Sequence, residues 1–73
     1  MNLVIDIGNT RTKLSVFNRG DVIFTIPLDE FRPEQIELLK DEHPTLNKAI
    51  LSSVKNLPQE QLTALNNYFD TFI

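Results

Sequence analysis

An aspartate stands inside the apolar run that opens the chain: Leu3, Val4 and Ile5 lead directly to Asp6, and Ile7 resumes the run. A continuous apolar stretch of strand length suits a strand covered on both faces, which places this segment at the centre of a sheet. "KAILSSV", residues 48–54, is a second run of the same kind. Any fold for this chain must bury two such strands and account for a carboxylate at the end of the first.

The segments between them have different periods. "TKLSVF", 12–17, alternates, with Leu14 and Val16 opposite Lys13 and Ser15, as a half-buried strand does. "NRGD", 18–21, is hairpin chemistry, because Gly20 takes positive φ without penalty, and "VIFTIPL", 22–28, follows as a third strand. Pro27 cannot donate to a ladder, so that strand is an edge or ends there. "RPEQIELLKDEH" then places Phe31, Ile36, Leu39 and the stem of Lys40 along one side of a helix that starts at Pro33 and stops before Pro44. After the 48–54 strand, "LPQEQLTALNNYF" repeats the helix opening with Pro58, and spaces Leu62, Leu65 and Phe69 three and four apart.

The coarse order is β-β-β-α-β-α. Three strands joined by short turns form an antiparallel meander, while a strand reached through a crossover helix lies parallel to its neighbour. This is an α/β chain with a mixed sheet, and setting the two apolar strands side by side gives the order 3-2-1-4. The outer flank of the fourth strand is then bare, an invitation to pair with another chain. "DTFI", 70–73, reads as the opening of a fifth strand that does not arrive, so residues 1–73 are expected to form one incomplete domain at the start of a longer protein.

With 73 residues the chain can form one small domain, and chains of this size bury only about 60% of the surface exposed on unfolding. A net charge of −3 argues against broad binding to nucleic acid or an anionic membrane, though a local phosphate site needs only amides and one or two cations. There is no cysteine, hence no disulfide framework and no thiolate metal site. The apolar run broken at Asp6 is too short for a signal peptide or a membrane span, which makes a cytoplasmic location the expectation.

"DIGNT", Asp6 to Thr10, admits two readings. As a plain hairpin, Gly8-Asn9 is the turn, and Asp6 and Thr10 tie up loose amides. As a site, a tight turn exposes successive backbone amides to an anion, and Gly8 lets a phosphate approach without a Cβ in the way. Asn9 and Thr10 add side-chain donors, and Asp6 holds a divalent cation that neutralises phosphate charge. The spacing is not that of the strand-to-helix P-loop.

"VIDIGNTRTKLSVF" resembles the first phosphate-binding hairpin of the acetate kinase, sugar kinase, heat-shock 70 and actin superfamily, and more closely the N-terminus of the type III pantothenate kinases. "AILSSV" is similar to the fourth-strand signature of that family. The resemblance implies a ribonuclease H-like, actin-like ATPase half-domain, cut before its fifth strand. It implies ATP-dependent phosphorylation of pantothenate in coenzyme A synthesis, with Mg²⁺ and a monovalent cation, K⁺ or NH₄⁺. By position it puts Asp6 at the metal, makes Gly8, Asn9 and Thr10 the phosphate loop, and gives Lys13 a reach to the transferred phosphate. Ser52 and Ser53 are cleft candidates, although "SSVKN" lacks the proline that many members carry directly after the serines, and a hydroxyl pair at a strand end also caps turns.

The general base of the family lies in a later glycine-containing motif, so no catalytic residue is expected before Ile73, and the isolated chain is expected to be inactive. The other readings are a small interaction module pairing through an exposed edge, with itself or with a partner, and another superfamily kinase or phosphatase. Arg11 beside the turn reads as solvated or as part of the site. His43, with no second histidine, reads as a helix-end residue meeting free carbonyls, and Glu34, Glu37 and Asp41 as a solvated helix face.

Overall fold

The computed structural model describes residues 1–73 and contains a five-stranded sheet and two helices. Strands β1 (Asn2–Ile7), β2 (Thr12–Asn18) and β3 (Asp21–Leu28) form an antiparallel meander. Helix α1 (Pro33–Glu42) leads to β4 (Lys48–Ser53), and α2 (Gln59–Tyr68) leads to β5 (Thr71–Phe72). The sheet order is β3-β2-β1-β4-β5, with β1 and β4 parallel, as are β4 and β5.

Local chemistry sets these boundaries. At the β2–β3 turn Arg19 has φ 55° and Gly20 φ 84°, the pair of positive angles that matches a two-residue turn to the strand twist. Pro27 lies on the outer strand, where its missing N–H costs the ladder nothing. Helix α1 begins at Pro33, and Gln35 Oε1 reaches back to accept the Arg32 N–H at 2.7 Å. It ends at His43, whose N–H donates to the Leu39 carbonyl at 2.9 Å just before Pro44.

Two expectations from the sequence are corrected. The flank of β4 is not bare: β5 pairs with Lys48 and Ala49, and Ile73 continues the contact by donating to Ala49 O at 3.0 Å and accepting from Leu51 N–H at 2.8 Å. The N–H of Asp70 donates to Asn47 O at 2.9 Å, which steers the chain alongside β4 as α2 ends. Thr71 and Phe72 of "DTFI" therefore form a short fifth strand alongside β4.

The second correction concerns burial. Leu3, Ile5 and Ile7 of β1 are buried against Leu14, Val16 and Ala49 and against Ile36, Leu39 and Leu65 of the helices, all in one core. Both helices cover this face, clasped at their ends by Lys40, whose ammonium donates to the Tyr68 carbonyl and lies 5.2 Å from the Phe69 ring. The opposite face has no helix, so Val4 and Phe17 are half-buried and Ile50 is 49% exposed. The apolar runs at 3–7 and 48–54 are thus covered on one face only, because the two crossovers place their helices on the same side.

Ile5→Ala should lower stability by about 2–5 kcal/mol, a large share of the total for a domain of this size, whereas Ile50→Thr on the open face should stay within about 0.5 kcal/mol; urea titrations of the two variants compare them directly. Tyr68 lies on α2, and partial burial followed by the carboxylates of Glu37 and Glu34 raises its hydroxyl pKa above 10.0. The folded state holds that proton more tightly, so the contribution is complete below pH 10.0 and is lost as pH rises through the higher folded value. Tyr68→Phe should flatten the loss of melting temperature above that pH.

Candidate functional site

Strand register builds the site. Asp6 is opposite Lys13 on β2 and level with Ser52 on β4, and Lys13 is opposite Pro27 on β3. Registered residues share a face, so Pro27, Lys13, Asp6 and Ser52 form a row across the open side of the sheet. Lys13 Nζ is 3.8 Å from Asp6 Oδ2, with the side chains 56% and 46% exposed. Asp6 is therefore not a buried acid in an apolar strand: the uncovered face leaves it hydrated, with an exposed ammonium for company. Such a pair contributes at most about 1 kcal/mol to stability.

Beyond this row the β1–β2 hairpin turns at Asn9-Thr10, not at Gly8-Asn9. Gly8 and Arg11 face each other below the tip, with Gly8 N–H donating to Arg11 O at 2.8 Å. A Cβ on Gly8 would approach that same oxygen to 3.1 Å, so closeness of the two backbones, rather than a positive φ, favours glycine here. The N–H groups of Asn9, Thr10 and Arg11 donate to no other group of the chain. Three consecutive free amides at the end of a strand pair can converge on an anion.

The two serines separate in role. Ser53 accepts the Lys55 N–H at 3.0 Å and donates to the Lys55 carbonyl at 2.7 Å, closing the turn after β4. Ser52 is exposed beside Asp6 with its hydroxyl uncommitted. His43 lies against Phe24 with the rings tilted by 39° and their centroids 5.3 Å apart, away from this row, and no group of three or more His, Asp or Glu side chains could hold a metal ion.

The donor set at Asp6 is one hydrated carboxylate. That is too little for a resident metal held by protein alone, but it fits Mg²⁺, which commonly keeps several waters and takes its other ligands from substrate phosphates. Sequence reading missed the residues that flank Lys13 on the far side, Pro27, Leu28 and Asp29, which with Arg11 to Lys13 line a cavity of about 410 Å³. The alternation of β2 could have signalled that Arg11 and Lys13 project together; the pairing with the end of β3 depends on register and was not available.

Fold and site together define a compact α/β unit with a mixed sheet, whose first hairpin presents free amides beside a carboxylate and an ammonium. No protein-family model matches the chain. Over 72 aligned residues it is 38% identical to a type III pantothenate kinase of Christiangramia forsetii, an alignment that covers 94% of this chain and 29% of that protein. The chain thus spans less than a third of the length of the relative it matches. No helix is long and apolar enough to cross a membrane.

Because the Asp6–Lys13 pair is exposed, Asp6→Asn should change unfolding free energy by less than about 1 kcal/mol. Denaturation at low and high salt checks this, since a larger loss confined to low salt would reveal a stronger pair than the exposure allows.

Proposed function

We propose that this chain is the N-terminal phosphate-binding portion of a type III pantothenate kinase, with a ribonuclease H-like half-domain fold. The observation that carries the reading is the run of free amides at Asn9, Thr10 and Arg11 beside Asp6 and Lys13. The similarity to the Christiangramia forsetii kinase supports it over nearly the whole chain.

In this reading the parent protein transfers a phosphoryl group from ATP to pantothenate, in the cytoplasm, as a step of coenzyme A synthesis. Phosphoryl transfer depends on positioning and on electrostatic stabilisation of the phosphate oxygens. The hairpin amides and the donors of Asn9 and Thr10 hold the polyphosphate, with Gly8 keeping the backbone approach open. Lys13 neutralises charge on the transferred group, Ser52 lines the cleft next to Asp6, and Ser53 shapes the turn behind it. Asp6 would hold Mg²⁺, which when bound supplies charge neutralisation to the phosphates; a monovalent cation completes the ions this reading calls for. The Asp6–Lys13 contact then has a use in the free protein, since the ammonium balances the charge of the carboxylate that would hold the metal.

The reading assigns no general base to residues 1–73, so the isolated chain should bind Mg·ATP weakly and turn nothing over. Titration followed by ³¹P NMR should show binding that weakens roughly tenfold, about 1.4 kcal/mol, in Asp6→Asn. Equal binding by the variant would count against the assignment of Asp6, and phosphorylation of pantothenate by the 73-residue chain would overturn the assignment of the base to a later segment.

A further inference from the structure

Arg11 combines a fixed root with a free head. Its carbonyl is held by the Gly8 N–H at 2.8 Å, so the backbone at this position is pinned to the base of the hairpin. Its side chain is exposed and makes neither a hydrogen bond nor an ion pair. Lys13 contacts Asp6 at 3.8 Å and Arg32 contacts Glu30 at 3.3 Å, whereas Arg19, Lys48 and Lys55 form no ion pair, like Arg11; what sets Arg11 apart is its place on the β1–β2 hairpin. Arg11 also lines the cavity of about 410 Å³ between the hairpin and the end of β3, together with Lys13 and with Asp29, which forms no ion pair.

We propose that Arg11 is a phosphate-clamping residue, closing over a polyphosphate seated on the hairpin amides from the side of β3. The inference rests on the reading of the hairpin as a phosphate site and adds a specific residue to it. The Arg11 N–H is one of the three free amides, so the residue meets the same anion with backbone and side chain. A guanidinium offers a rigid planar fork that matches two phosphate oxygens, whereas an ammonium acts as a point charge without that fixed geometry. The two cations differ in surroundings: the Lys13 ammonium lies 3.8 Å from the Asp6 carboxylate, while no carboxylate pairs with Arg11. Arg11 therefore contributes to capture of the polyphosphate without a competing carboxylate at its side.

The test uses the 73-residue chain and inorganic tripolyphosphate without divalent metal, with binding read by calorimetry or ³¹P NMR. Arg11→Ala should weaken binding about tenfold, and Arg11→Lys should recover only part of the loss. Arg19→Ala removes the same charge at the opposite hairpin, between β2 and β3, and should leave affinity within about twofold, because charge alone acts weakly at long range in salt. Circular dichroism should show all variants folded, as none of these side chains is in the core. Equal losses in Arg11→Ala and Arg19→Ala would overturn the clamp while leaving the phosphate site standing. Absence of tripolyphosphate binding by the wild-type chain would remove the phosphate site and the clamp together.

Discussion

Strand β1 is the element on which everything else is registered. It pairs antiparallel with β2 on one side and parallel with β4 on the other, so both the meander and the crossover are anchored to it. Its inward residues Leu3, Ile5 and Ile7 form the floor of the core that both helices cover. Its outward residues face an uncovered side, and Asp6 is among them. One strand thus supplies the main apolar anchor of the fold and the carboxylate of the candidate site, on opposite faces, through the period of two that a strand imposes.

The consequence for the site is that its chemistry is hydrated. Asp6 and Lys13 are both about half-exposed, Ser52 and the hairpin tip are exposed, and the row they form has no roof. Electrostatic interactions there are screened by water and salt, so the arrangement suits capture of a highly charged ligand better than stabilisation of a transition state, which gains most in a water-excluded site.

Much of the fold was legible in residue patterns. The alternation of Leu14 and Val16 against Lys13 and Ser15, the prolines at 27, 33, 44 and 58 and the Arg19-Gly20 turn each act locally, and the elements fall where they point. The order of the first four strands followed from the short turns of the meander and from setting the two apolar strands side by side. Two features did not follow. The pairing of Thr71–Phe72 with the flank of β4 depends on contacts between residues far apart in sequence, among them the Asp70 N–H donating to Asn47 O. The bare face depends on both helices crossing on the same side, whereas a run such as Leu3 to Ile7 reads the same whether one of its faces or both are covered.

By itself the sequence determined which residues could take part in a phosphate site: an acid, a glycine, an amide, a hydroxyl and two cations within Asp6 to Lys13, at the end of a strand. Tertiary structure decided how they divide. Register set Lys13 across from Asp6 and Ser52 beside it, gave Ser53 to a turn, moved the hairpin tip to Asn9-Thr10, and left Arg11 uncommitted. The physical reason is that residue type is a local property, whereas a partner is chosen by which strand lies alongside and at what offset; a shift of one residue would turn every one of these side chains to the other face.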